Sequence, residues 1–134
     1  MASDRLWPDN NEKRVILDSS AILMLFEYSI NLEDELTQLL GKFKIILPSP
    51  IVDELKILSE SGDGKKRQKA KAALRLIKRY DIVDVEGSGD DSIIILANKI
   101  NGIVVTNDRE LRKRIKDLSL GVIFLRGKKK LALE

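Results

Sequence analysis

The sequence predicts a three-layer α/β sandwich around a central parallel sheet of about five strands. Short apolar, β-branched runs alternate with longer segments of helical period, and each run is closed by a cap or turn residue. The runs also lack polar alternation, which fits strands covered on both faces, as in a buried parallel sheet.

The first strand is read at residues 15–17, followed by helices over 21–28 and 32–40, the second stopped by Gly41. Residues 43–47 form the next strand. Ser49-Pro50 then supplies a cap hydroxyl and a proline at the first helical position for a helix over 50–59. Ser61-Gly62-Asp63-Gly64 reads as a mobile loop before the longest helix, 65–80, with Ala70, Ala73, Leu74 and Ile77 as its buried stripe. A third strand at 82–85 leads through Ser88-Gly89-Asp90-Asp91 into a helix over 90–100. A fourth at 103–105 leads through Asn107-Asp108-Arg109-Glu110 into a helix over 109–118, buried through Leu111, Ile115 and Leu118. Ser88 and Asn107 each stand three residues before an acid, as in a capping box. Gly102 and Gly121 are read as stops, and 122–125 is the last strand.

The chain has 134 residues, 43% hydrophobic and 34% charged, which suits one globular domain and excludes a disordered chain. Cys and His are both absent, so disulfides, Cys or His zinc sites, a thiol nucleophile and a Ser-His-Asp relay are excluded. The balance of 24 Lys+Arg against 21 Asp+Glu, a net +3, biases the surface only mildly toward anionic partners. Residues 1–12 read as a polar tail, 13–127 as the domain and 128–134 as a basic tail opened by Lys128-Lys129-Lys130. With no apolar stretch of signal-peptide length near the start, a soluble cytoplasmic protein that does not engage a membrane is expected.

In a doubly wound sheet, ligands bind beyond the carboxyl ends of the strands. Four strand-to-helix junctions each carry an acid there: Asp18 after the first strand, Glu54 early in the helix after the second, Asp90 and Asp91 after the third, and Asp108 after the fourth. Carboxylates gathered in one place raise one another's pKa unless a cation holds them. Oxygen-only ligands suit Mg²⁺ or Mn²⁺, ions that activate water and bind phosphate oxygens. Capping would by itself explain Asp90, Asp91 and Asp108. It explains Asp18 less well, because a carboxylate that continues an apolar run is costly unless paired or metal-bound. Asp53 reads as a surface acid. Ser19, Thr106 and Asn107 are auxiliary candidates that could hydrogen-bond the carboxylates or a water, although cap and turn roles are common for such residues.

The ordered set Leu17-Asp18-Ser19-Ser20, Pro48-Ser49-Pro50-Ile51-Val52-Asp53-Glu54-Leu55, Gly89-Asp90-Asp91 and Val105-Thr106-Asn107-Asp108 resembles the PIN-domain nucleases over residues 13–127. The stretch from Asn107 to Ile115 is more similar to archaeal single-domain PIN proteins and ribosome-assembly nucleases than to VapC toxins. The resemblance implies a PIN-like, 5′-nuclease-like fold and a metal-dependent ribonuclease selective for single-stranded or looped RNA. In such an enzyme Asp18, Glu54, Asp91 and Asp108 would be the catalytic, metal-binding acids. Asp91 is preferred over Asp90 because a cap at Ser88 places it third in its helix. An antitoxin or a ribosome-assembly partner is implied by the same likeness.

Basic residues form two clusters. From Gly64 to Arg79 there are eight, including Lys65, Lys66, Arg67 and Lys69, and no acid. Arg109, Arg112, Lys113, Arg114 and Lys116 form the second, whose first members Arg109 and Arg112 could meet a phosphate near the acids. A solvated helix face would also account for them. The six aromatics, Trp7, Phe26, Tyr28, Phe43, Tyr80 and Phe124, do not interleave with these clusters, so base stacking is not expected. The apolar stretch from Ile22 to Tyr28 reads as core, with a homodimer surface as the other reading. Two further functions compete with hydrolysis: a catalytically inactive RNA- or protein-binding scaffold on the same fold, and a phospho-accepting receiver-like domain using Asp84.

Overall fold

The computed structural model describes residues 12–61, 63–127 and 129–134. Most of the expected N-terminal tail, with Trp7, and also Gly62 and Lys128 lie outside the described residues. In chain order the elements are β1 (Lys13–Leu17), α1 (Ser19–Glu27), α2 (Leu32–Leu40), β2 (Phe43–Pro48), α3 (Ser49–Ser61), α4 (Gly64–Leu76) with a 3₁₀ turn (Ile77–Arg79), β3 (Asp81–Val83), α5 (Gly89–Ile100), β4 (Ile103–Val105), α6 (Arg109–Asp117), β5 (Val122–Arg126) and β6 (Lys130–Leu133). Among the described residues no helix is long and apolar enough to cross a membrane.

The strands join one sheet in the order β3-β2-β1-β4-β5-β6, parallel except for β6, which runs antiparallel to β5. The expected parallel sandwich is thus present as a mixed sheet of six strands. Within the segment 128–134, expected to be a basic tail, Lys130–Leu133 instead form the sixth strand: Leu131 is buried and pairs with Leu125, while Lys130 is exposed. The alternating Leu131-Ala132-Leu133 is the period of an edge strand, and the preceding lysines mask it as a tail.

β1 lies at the centre, and its Val15, Ile16 and Leu17 are fully buried, as a strand packed on both faces requires. Each such side chain contributes about 1.5–3 kcal/mol on leaving water. Helix α5 packs on β1, β2 and β4, α6 on β5, and α2 on β2 and β6. Ile22, Met24 and Leu25 of α1 are buried in the core, so the apolar run of the first helix is core material. β3 departs from the expectation of full coverage. All three of its residues are exposed at the open edge of the sheet.

Several helix starts and stops also differ. Ser49 does not cap α3; its hydroxyl accepts the Val85 N–H at 3.3 Å and ties the end of the β3 segment to the start of α3. Helix α4 is capped by Asp63, which accepts the Lys66 N–H. Helix α5 ends on Asn101 in the left-handed conformation (φ 53°) rather than on a glycine. Gly102 follows it and helps close the helix, its N–H donating to the Ala97 carbonyl at 2.9 Å, and it serves packing as well, since a Cβ there would stand 2.9 Å from Ile16 Cδ1 on β1. Leu118, placed in the buried stripe of the last helix, is exposed at its end.

The strand order bears on function directly. A receiver-type sheet runs 2-1-3-4-5. Here the order is 3-2-1-4-5 with β6 added, and Asp84 follows the edge strand, two strands away from β1. The chain direction along the sheet reverses between β1 and β4, which places the ligand crevice of an open α/β sheet at their carboxyl ends.

Candidate functional site

β1 and β4 pair in register, Leu17 opposite Val105. The residues that leave these strands, Asp18 and Thr106, therefore emerge side by side. Both are buried, Asp18 at 5% exposure and Thr106 at 0%. The Thr106 hydroxyl donates to Asp18 Oδ2 at 2.5 Å and accepts the Asp108 N–H at 3.1 Å. One hydroxyl thus joins the acid of the first junction to the acid of the fourth.

Asp18 is also the N-cap of α1. Its Oδ1 accepts the Ala21 N–H at 2.6 Å and the Ser20 hydroxyl at 3.0 Å. These donors favour the ionised form. Burial outweighs them, with a small addition from the charge on Asp90, and the Asp18 carboxyl sits above its ordinary pKa. Asp108 caps α6 in the same manner, accepting the Leu111 N–H at 3.0 Å, so the cap is the acid itself and not Asn107. Asn107 points elsewhere, its Oδ1 accepting the Leu125 N–H at 2.7 Å. It fastens the β4–α6 turn to β5.

Glu54 enters from the second turn of α3. The Ser19 hydroxyl donates to Glu54 Oε2 at 2.6 Å, which brings the second junction against the first. Its other oxygen, Oε1, would stand 3.5 Å from a Cβ at Gly89, so the first residue of α5 lies against Glu54 as well. Asp53 is exposed, as expected of a surface acid.

The third junction differs from the register expectation. The Ser88 side chain makes no cap hydrogen bond; its carbonyl accepts the Asp91 N–H at 3.1 Å. The Asp91 side chain is 66% exposed and reaches Arg114 at 3.1 Å. Asp90 is the half-buried member of the pair. Desolvation raises its pKa first, then the charge on Asp108, with smaller pushes from Glu54 and Asp91 and an opposing pull from Arg114. Asp90 therefore feels the charges of Asp108 and Glu54, and Asp18 in turn feels Asp90. The side chain at the second helical position projects back toward the strand ends, which a count from the cap does not capture.

Asp18, Glu54, Asp90 and Asp108 thus gather at the carboxyl ends of β1 and β4, linked by Thr106 and Ser19. Among the described residues, no three acids stand close enough as placed to share an ion directly. The donor set is oxygen-only, and two of the four carboxyls hold their protons above the usual range. Such a concentration of negative charge fits a hard divalent ion, which binds through one or two carboxylates and keeps several waters. In the sequence Arg114 reads only as a member of the second basic cluster, not as a partner of the acids. Its signal there is its place on α6 one helical turn and a half beyond Asp108, a position that only the packing of α6 on α5 makes relevant.

The expected nucleic-acid contacts divide. Lys65, Lys66 and Arg67 are exposed in the first turn of α4, and Lys69 is half-buried in the next. Arg109 is exposed immediately after Asp108. Arg112 is engaged within the protein: its guanidinium lies 4.2 Å from the Phe124 ring centroid, and it pairs with Glu134 at 3.1 Å.

A family model described as a PIN like domain matches residues 15–128. Ribonuclease VapC4 of Methanocaldococcus jannaschii is 34% identical over 121 residues, covering 87% of this chain and 92% of its own length. Ribonuclease VapC9 of Archaeoglobus fulgidus is 30% identical over 136 residues, covering 100% and 98%. Among solved structures, the PIN domain endonuclease Utp24 matches with a TM-score of 0.74 at 22% identity over 90% of each chain. VapBC2 from Rickettsia felis, bound to a DNA fragment from its promoter, gives 0.63 at 18% identity over 84% of this chain and 99% of the other.

Proposed function

The chain belongs to the PIN-domain family, and from that premise we propose that it is a divalent-metal-dependent endoribonuclease acting on single-stranded or looped RNA. The observation that carries this reading is that the Thr106 hydroxyl bonds both the Asp18 carboxylate and the Asp108 backbone N–H, which sets the first and fourth junctions side by side at the β1–β4 crevice. Asp18, Glu54, Asp90 and Asp108 would hold Mg²⁺ or Mn²⁺, and Asp90 replaces Asp91 as the acid of the third junction. When bound, such an ion lowers the pKa of a water and offsets charge on the phosphoryl oxygens.

The protein's own part is to hold the carboxylates in place before the ion arrives. Thr106, the Ala21 amide and the Ser20 hydroxyl orient Asp18, the Leu111 amide orients Asp108, and Ser19 orients Glu54. Such partners tune a ligand's direction and basicity. Asp91 and Arg114 form an outer pair, from which Arg114 moderates the charge on Asp90. The ribonuclease relatives named VapC support an RNA substrate, and the matched VapBC2 complex supports an antitoxin partner for this chain.

The test is cleavage of a labelled single-stranded RNA with Mg²⁺ or Mn²⁺ present. Asp18→Asn and Asp108→Asn should each lower the rate by about a hundredfold or more. Asn caps a helix as well as Asp does, so both variants should retain the fold by circular dichroism. Full turnover in purified Asp18→Asn, or undiminished cleavage in excess EDTA, would refute the hydrolase. RNA binding with no cleavage and no metal uptake by the wild type would assign the chain to the inactive scaffold class.

A further inference from the structure

Helix α6 presents four cations to one side. Arg109, Arg112, Lys113 and Lys116 stand at i, i+3, i+4 and i+7, and with Asp117 and Glu134 they line an open groove of about 350 Å³. At the helical rise the row runs roughly 10 Å. Its first member, Arg109, directly follows Asp108, the acid that caps this helix, so the row of cations starts one residue from an acid of the site and runs down the helix away from it.

The middle of the groove is held rigidly. Arg112 stacks on Phe124 at 4.2 Å, and its Nε is buried without a hydrogen-bond partner. Across the groove lies the Glu134 carboxylate, with Oε1 3.1 Å from Arg112 and Oε2 3.5 Å from Lys116 Nζ. Glu134 is itself fixed through its N–H, which donates to the Val122 carbonyl at 2.7 Å. Arg109 and Lys113, by contrast, have no ion-pair partner among the described residues.

We propose that this groove is the track along which the sugar-phosphate backbone of single-stranded RNA leaves the acidic site, and that the Glu134 carboxylate occupies one phosphate position until RNA displaces it. The proposal rests on the ribonuclease reading and adds to it a strand path and a built-in competitor. A carboxylate and a phosphodiester offer a guanidinium the same paired acceptors, so one can replace the other at Arg112. RNA prevails because its neighbouring phosphates also reach Arg109 and Lys113, which a single side chain cannot. Binding of this kind carries no base readout and follows salt concentration.

The experiment is fluorescence anisotropy of a labelled 2′-O-methyl oligonucleotide in EDTA, where neither cleavage nor metal contributes. Glu134→Gln removes the competitor and should tighten binding by about threefold to tenfold at low salt. It should also steepen log K against log salt by about 0.7 for each further phosphate that the protein neutralises. Lys113→Glu, at an exposed residue with no internal partner whose replacement spares the fold, should weaken binding by a similar factor. Unchanged affinity and slope in both variants would overturn the proposal. So would poly-glutamate that competes as well as RNA, since the groove would then belong to an acidic protein segment. Absence of metal-dependent cleavage, with these binding changes intact, would count against the catalytic reading alone.

Discussion

Thr106 has one hydroxyl and makes two bonds with it, donating to Asp18 and accepting from Asp108. That geometry explains how a carboxylate tolerates burial at the end of an apolar strand, and the tolerance is incomplete. Asp18 and Asp90 both hold their protons above the ordinary value of 3.8. The folded state therefore binds more protons than the unfolded chain between that value and the raised one, and stability falls as pH rises through the interval. Asp90→Asn abolishes its share of the loss. In metal-free buffer its melting temperature should exceed the wild type's by a few degrees at neutral pH, and the two should converge in acid, where the wild-type carboxyl is protonated. A variant that melts lower than wild type at neutral pH would show that Asp90 is held by a favourable partner instead. Asp18, Glu54 and Asp108 could be picked out from sequence because each follows a strand or opens a helix. That Asp91 turns outward to Arg114 while Asp90 is half-buried could not, since it depends on what packs beside the helix start, and Arg114 is 23 residues further along the chain from Asp91.

Helices and strands carry the next part of the account. All six helices and five of the strands were readable from periodicity and breakers, because buried β-branched runs and amphipathic stripes leave a strong pattern. Caps were less readable. Asn107 and Ser49 have the residue types of a cap, yet they bond to β5 and to the β3 segment, and Gly102, whose N–H does help close α5, also packs on β1. Each satisfies a partner distant in sequence, which local spacing does not contain. The Gly102 approach is the most demanding. A Cβ there would also meet Ile100 Cγ1 at 3.4 Å, and Ile16 is fully buried. Gly102→Ala should lower stability by about 1–3 kcal/mol, measured as a fall in the urea midpoint with an unchanged m-value. Because β1 and β4 carry Asp18 and Thr106, cleavage should weaken as well.

Across the whole molecule, the acids come from four junctions while the donors that orient them come from α1, β4 and α6. A cation binding there stabilises only the folded arrangement. Saturating Mg²⁺ or Mn²⁺ should therefore raise the unfolding free energy, by about 2.7 kcal/mol at a concentration one hundred times its Kd. EDTA should remove the gain and Asp18→Asn should reduce it, with scanning calorimetry as the measurement. A thermal curve indifferent to both ions would speak against a cation at this crevice.

The bond between Thr106 and Asp18 spans 88 positions of the chain. A polypeptide emerging from the ribosome exposes its amino-terminal half first, and the β1–β2 pair can form there long before β4 is made. Until β4 arrives the crevice has only one wall. The Asp18 carboxylate therefore lacks its Thr106 partner until about four-fifths of the chain has been made, and the site is among the last parts of the fold to be assembled.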